Sequence, residues 1–176
     1  MIFRETELSG AFVVETEPIE DERGWFARIF DETEFADRGL TSRFAQGSVA
    51  FNKSRGTLRG MHYQEEPHAE AKLVRCTRGS VHDVIVDLRP SSTTFKRWVA
   101  VELTAANGRM LYIPEGLAHG YLTLEDETEA LYLISAPHAP EAARGVRWDD
   151  LAFGIEWPDE PQVMSDKDRT WPDFTG

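Results

Sequence analysis

Apolar positions along this chain fall in short runs rich in β-branched and aromatic residues, set apart by Gly, Pro and Asp/Asn turn signals. The runs predict strands over Phe12–Glu15, Trp25–Phe30, Phe44–Phe51, Leu58–Tyr63 and Lys72–Cys76. They continue over Val81–Leu88, Trp98–Leu103, Met110–Ile113, Gly120–Leu124 and Ala130–Ile134. About ten short strands at this spacing predict an all-β sandwich or barrel. One short helix is expected over Thr33–Arg38, capped by Asp31 or Thr33. From Ala136 onward the chain is Pro-rich (Pro137, Pro140, Pro158, Pro161, Pro172) and reads as an irregular tail wrapped over the barrel. Neither an internal repeat nor a flexible linker interrupts the pattern, so residues 1–176 are expected to form a single domain.

One hairpin can be read in register. With Arg78-Gly79 as a two-residue turn, Val74 would face Asp83 and Lys72 would face Ile85. Alternation then puts Lys72, Val74, Cys76, Val81, Asp83 and Ile85 on one face. Two charges on an otherwise apolar wall are costly unless paired, so Lys72 and Asp83 are expected to meet as diagonal neighbours. Such a pair serves either as a satisfied structural contact or as part of a site.

Composition narrows the function. Hydrophobic residues make up 41% and aromatics 11%, enough for a packed core. Against 31 Asp and Glu stand 19 Lys and Arg, a net charge of −12. That field repels nucleic acid and anionic membranes, and a phosphate-bearing ligand would need locally clustered Arg and Lys. A single cysteine, Cys76, excludes an internal disulfide framework and a Cys-based zinc site, and its apolar face points to burial over reactivity. Met1–Gly10 has no apolar signal core and no run is long enough to span a membrane, so the expected location is the cytoplasm.

Candidate chemistry is concentrated in a few segments. Gly56–Gln64 (GTLRGMHYQ) carries Arg59 and His62, which alternation sends in opposite directions. Pro114–Gly120 (PEGLAHG) has the shape of a cupin turn ending on His119. A cupin metal site would also need His-x-His and a nearby Glu, but His62 is followed by Tyr63 and Gln64. Two imidazoles without a third ligand do not make a metal centre, and none is expected. Tyr132, among apolar neighbours in ALYLI, is either a core residue or a general acid. The Ser165–Asp168 run reads by itself as a solvated charged stretch.

Taken together, seven segments resemble the dTDP-4-dehydrorhamnose 3,5-epimerase family: Asp21–Phe26, Gly56–Gln64, Lys72–Arg75, Asp83–Arg89, Pro114–Gly120, Gly154–Pro158 and Ser165–Asp168. The likeness runs in order from about Ala11 to Asp168. It implies a cupin-type jelly roll, a homodimer with N-terminal strand exchange, and no metal or cofactor. Its implied substrate is a nucleoside-diphosphate 4-keto-6-deoxy sugar, whose C3 and C5 hydrogens are acidified by the C4 carbonyl. By the same resemblance His62 is the base, Asp168 the carboxylate that orients it, Lys72 the oxyanion stabiliser and Tyr132 the acid on the opposite face. His119 would line the sugar pocket, Arg23, Arg59 and Lys167 would hold the nucleotide sugar, Gln46 would bind substrate and Phe26 would wall the pocket.

The chain departs from the family pattern where the nucleotide would sit. Arg28 stands where a Glu is common, His138 where a Tyr stacks on thymine, Ala143 where a Glu binds substrate, and Gln46-Gly-Ser48 replaces Gln-x-Asn. An Arg28 guanidinium would favour an acceptor-rich base edge such as cytosine or guanine over thymine. Rival readings are an epimerase of C3 or C5 alone, a 3,4-ketoisomerase, a sugar-nucleotide binding protein without catalysis, and a metal-dependent cupin oxygenase.

Overall fold

A computed structural model describes all 176 residues. Strands account for most of the ordered backbone. The chain begins with β1 (Ile2–Glu5), β2 (Phe12–Glu15) and a small hairpin of β3 (Ile19–Asp21) and β4 (Gly24–Phe26). Helix α1 (Glu32–Ala36) follows, with Asp31 as its cap: the carboxylate accepts from the Thr33 and Glu34 N–H groups. Then come β5 (Gln46–Asn52), β6 (Leu58–Gln64), β7 (Lys72–Arg78), β8 (Ser80–Asp87), β9 (Trp98–Thr104) and β10 (Met110–Ile113). The chain ends with β11 (Leu117–Thr123), β12 (Thr128–Ile134), β13 (Ala143–Gly145) and the one-turn helix α2 (Asp166–Arg169).

These strands build two facing sheets, one ordered β1-β2-β10-β7-β12-β5 and the other β13-β6-β11-β8-β9. Every pairing within them is antiparallel. The result is an all-β, cupin-type jelly roll, in which folding back of the two sheets hides all but a few edges. Val74, Cys76, Leu111, Ile113 and Ala130 from one sheet meet Val81, Ile85, Leu103, Leu117 and Tyr121 from the other in the central core. Each of the Val, Leu and Ile side chains among them contributes about 1.5–3 kcal/mol on leaving water.

The hairpin reading of residues 72–87 is corrected. β7 pairs with β10 and β12 while β8 pairs with β9 and β11, so the chain passes from one sheet to the other at Gly79 instead of turning back beside itself. The one-face set survives because both strands present alternate residues to the same interior. Its members meet across the core, not side by side.

Strand limits shift modestly elsewhere. β1, β3 and β13 were not expected, and the stretch read as a strand over Trp25–Phe30 keeps only the end of β4 before it becomes loop. The Pro-rich tail is irregular save for β13, a single bridge from Val163 to Thr57, and α2. It lies over the outer face of the five-stranded sheet, where Val146, Phe153, Ile155, Trp157 and Phe174 pack on Met61, Val84 and Val86. That packing carries the chain back to the mouth of the barrel and sets α2 against β6. No helix is long and apolar enough to cross a membrane.

Candidate active site

A pocket of about 760 Å³ opens at one end of the barrel, between the sheets. The six-stranded sheet lines it with Gln46 and Ser48 on β5, Lys72 on β7 and Tyr132 on β12. Arg59 and His62 on β6 and His119 on β11 line it from the five-stranded sheet. The tail adds His138, Lys167 and Asp168.

Arg59 and His62 both reach this pocket, contrary to strict alternation. Between them the β6–β11 register breaks: His119 faces His62 and Tyr121 faces Arg59, so one residue on β11 opposes two on β6. The break is centred on Gly60 (φ 148°), where an added Cβ would lie 2.5 Å from the Gly120 Cα. Only paired glycines permit so close an approach, and the resulting bulge re-aims the next side chains.

Asp168 is buried against β6 by α2, whose cap Ser165 accepts the Asp168 N–H at 3.1 Å. One carboxylate oxygen is 2.6 Å from His62 Nε2 and the other accepts the Gly60 N–H at 3.5 Å. Burial pushes the Asp168 carboxyl up, but bonds from His62, Ser165 and Gly60 outweigh it and hold it below its ordinary range. The ring of Trp171 lies edge-on to His62 with centroids 6.5 Å apart. It rests on Gly145, where a Cβ would fall inside the indole.

Lys72 does not meet Asp83. Its Nζ is 2.9 Å from Glu70, both side chains being nine-tenths buried, and it donates to the His62 carbonyl at 3.3 Å. Asp83 sits on the opposite sheet and takes His119 Nε2 at 2.7 Å. The misassignment follows from the hairpin: with β7 and β8 in different sheets, the charges sit on separate walls and each has its own partner.

Tyr132 projects from β12 toward the inner face of β11, packed against Tyr121 and with its ring 6.0 Å from His119. Burial, with the Tyr121 hydroxyl and Asp83 close by, holds the Tyr132 phenol well above its ordinary range. Arg59 donates from Nε to Asn52 Oδ1 at 2.8 Å, which fixes the guanidinium at the pocket edge. Gln46 accepts the His138 N–H at 2.8 Å, joining β5 to the tail. Lys167 Nζ stands 5.2 Å over the Trp171 ring.

Three expected site residues lie away from this pocket. Arg23 and Phe26 are on the β3–β4 hairpin, with Arg23 paired to Asp21 and Phe26 70% exposed. Arg28 bonds Asp31 at 3.0 Å, so its charge faces the α1 cap and not the pocket. Cys76 is fully buried and burial pushes its thiol up to about 11, consistent with an inert core residue. No three His, Cys, Asp or Glu side chains converge in metal-binding geometry, and His62 and His119 each direct Nε2 at a carboxylate.

Glu70, Asn52 and Tyr121 were missed from sequence. Glu70 was detectable, since it precedes Lys72 by two positions and so shares its face. The other two become visible only when β5 and β11 are placed in opposite sheets.

With that geometry in hand, the relatives are informative. A sequence profile of the dTDP-4-dehydrorhamnose 3,5-epimerase family matches residues 5–176. A dTDP-4-dehydrorhamnose 3,5-epimerase of Methanothermobacter thermautotrophicus is 44% identical over 172 residues, covering 96% of this chain and 92% of its own. The Bacillus anthracis enzyme of that name, solved with TDP and PPi bound, superposes with TM-score 0.94 at 36% identity over 98% of this chain and 99% of its own. ChmJ, a 3'-monoepimerase of Streptomyces bikiniensis solved with dTDP-quinovose, superposes with TM-score 0.89 at 36% identity over 96% of this chain and 85% of its own. Likeness of this extent, over nearly every residue and with the same barrel, means that the chain belongs to the dTDP-4-dehydrorhamnose 3,5-epimerase family.

Proposed function

We propose that this protein epimerises dTDP-4-keto-6-deoxyglucose at C3 and C5, by removing and returning the hydrogens that flank the C4 ketone. The observation that carries the reading is a base and an acid on opposite walls of one pocket. His62, bonded to Asp168 at 2.6 Å, stands on the five-stranded sheet, and Tyr132 stands on the six-stranded one. A planar enolate between them can lose a proton to one face and regain it on the other, which is what inversion requires. Asp168 fixes the imidazole and balances the charge His62 acquires. Lys72, anchored by Glu70, supplies a cation for the developing enolate oxygen in a partly dry site, where such a charge counts most.

Arg59 and Lys167 give the otherwise acidic chain local positive charge for the diphosphate. Gln46, Ser48 and His138 lie at the same end of the pocket and hold the nucleoside, and His119 lines the sugar subsite. No cofactor enters the scheme. A dTDP sugar is the reading that the relatives solved with TDP and a dTDP-sugar support. Arg28, an exposed cation two residues past the hairpin and paired with Asp31 at 3.0 Å, would travel with that hairpin in a dimer, so a preference for another base is a matter for the substrate test. Arg23 and Phe26 are used in a homodimer, in which the hairpin of one copy reaches the pocket of the other. Their exposure in the single chain supports that arrangement.

Inversion at C3 alone is the second reading, favoured by the close superposition on a 3'-monoepimerase. Proton NMR with dTDP-4-keto-6-deoxyglucose in D2O tests both. Loss of the H3 and H5 signals with an inverted product supports the two-centre reading, and loss of H3 alone supports the second. No exchange at either carbon overturns both. Tyr132→Phe should let deuterium enter while epimer formation falls about 10²–10⁴-fold, and full epimerase turnover in that variant would remove Tyr132 from the acid role.

A further inference from the structure

Glu70 enters the proposed chemistry only as the anchor of Lys72, yet its carboxylate lies inside the pocket. The Glu70 and Lys72 side chains are 10% and 9% exposed, and both line the cavity beside His62. Positions 70 and 72 share a face by alternation, while Ala71 between them packs on the other side in the cluster of Phe35, Leu73 and Met110. Ser135, just past β12, pins this stretch. Its Oγ accepts the Ala71 N–H at 2.8 Å, and its own N–H donates to the Ala71 carbonyl at 2.9 Å.

A buried ion pair is weak ground for stability, because desolvating both charges cancels much of their attraction. Nor does holding Lys72 require a carboxylate. The His62 carbonyl already accepts one of its three N–H groups at 3.3 Å, and a neutral acceptor would serve equally for a second. During enolisation a new negative charge forms on the C4 oxygen, the atom that Lys72 meets. An acceptor-only carboxylate 2.9 Å from that lysine would repel the new charge unless a proton donor lay between them. A 4-keto-6-deoxyhexose supplies such a donor on one side only: C3 carries a hydroxyl, whereas C5 carries a methyl group and the ring oxygen.

We propose that Glu70 binds the C3 hydroxyl of the sugar, so that the Lys72–Glu70 pair reads an α-hydroxyketone, its donor on the carbonyl and its acceptor on the hydroxyl. The fit is best when C3 is planar, because the two oxygens of the enediolate then lie side by side in one plane. In that step the C3 proton passes to His62 and its electron pair moves onto the C4 oxygen. Glu70 stays ionised and the hydroxyl keeps its proton. Glu70 therefore favours enolisation toward C3 and selects sugars with a hydroxyl next to the ketone.

This inference rests on the epimerase reading, and the test separates the two. Initial deuterium entry at C3 is measured by NMR in D2O with dTDP-4-keto-6-deoxyglucose and with its 3-deoxy analogue. A disturbed Lys72 slows both sugars alike, because both enolates share the C4 oxygen, so the readout is the C3 rate on the first sugar relative to the second. That ratio should fall about 10-fold in Glu70→Gln, which keeps a neutral acceptor, and about 10- to 100-fold in Glu70→Ala, the rate equivalent of one hydrogen bond to a charged group. Thermal melts check that each variant is folded, and either folded variant suffices. An unchanged ratio overturns the proposal, whether the variant slows both sugars equally, which would leave Glu70 as the anchor of Lys72 alone, or slows neither. Wild-type protein that labels C5 and not C3 overturns this proposal and leaves an epimerase. Exchange at neither carbon overturns the epimerase reading and this one with it.

Discussion

At the scale of single residues, the site depends on a few charges, each held by at least one named partner. Asp168 is the most constrained: both carboxylate oxygens are engaged, and its bonds hold it ionised below the ordinary carboxylate range. Asp168→Asn would keep the shape and a contact to His62 but remove the charge that balances a protonated imidazole. Deuterium uptake at the sugar carbons is expected to fall about 10²-fold or more, with dTDP affinity by calorimetry close to wild type. Uptake at the wild-type rate would show that His62 works without its carboxylate. Most of these residues were legible from the chain. Lys72, His62, His119 and Tyr132 sit in segments whose glycines, prolines and alternation mark strands facing inward. Asp168 was not legible by physics, because a one-turn helix has no periodicity to detect and its partner is more than 100 positions away. Resemblance alone pointed to it.

At the scale of elements, alternation determines which face a residue takes but not which strand it lies beside. Lys72, Val74, Cys76, Val81, Asp83 and Ile85 do share the interior, yet the turn at Gly79 is a crossing between sheets, so the expected Lys72–Asp83 pair never forms. Arg59 and His62 failed in the opposite sense, since a bulge at Gly60 cancels the alternation that separates them. The β8–β9 connection shows how a loop can be fixed by one buried charge. Asp87 is fully buried and accepts from the Arg89 backbone and side chain and from Ser92 and Thr94, the hydroxyls at 2.6 Å. Burial opposes ionisation, but these bonds prevail and hold the carboxyl well below its ordinary range. A depressed carboxylate contributes stability that is complete above the unfolded value of about 3.9 and is lost as pH falls below it. Urea midpoints are therefore expected to be level from about pH 7 to 5 and to drop below about pH 4. Asp87→Ala should cost about 3 kcal/mol at neutral pH and flatten that acid-side drop, because the responsible group is gone. A variant with the wild-type acid slope would assign the slope to another carboxylate.

At the scale of the whole molecule, charge and surface point to a second copy. The chain carries a net charge of −12, a field that favours solubility and disfavours casual association. Against it, the β3–β4 hairpin displays Ile19, Trp25 and Phe26 at 73%, 59% and 70% exposure, and the outer side of β5 shows Val49 and Phe51 at 59% and 44%. Large apolar side chains grouped on so acidic a surface are costly to leave in water and call for a partner. The same hairpin holds Arg23, an exposed cation outside the pocket of its own chain. Oligomeric state and activity should therefore fail together. Sedimentation equilibrium is expected to give twice the 20.0 kDa chain mass. Trp25→Asp combined with Phe26→Asp is expected to give folded monomer, with KM for the nucleotide sugar raised about 10-fold or more, because a charge-assisted contact to phosphate is lost along with the interface. His62 and Asp168 keep their geometry in that variant, so slow solvent exchange should persist at saturating substrate. A wild-type protein that is monomeric and fully active would remove the hairpin from the site and leave its apolar face to another role.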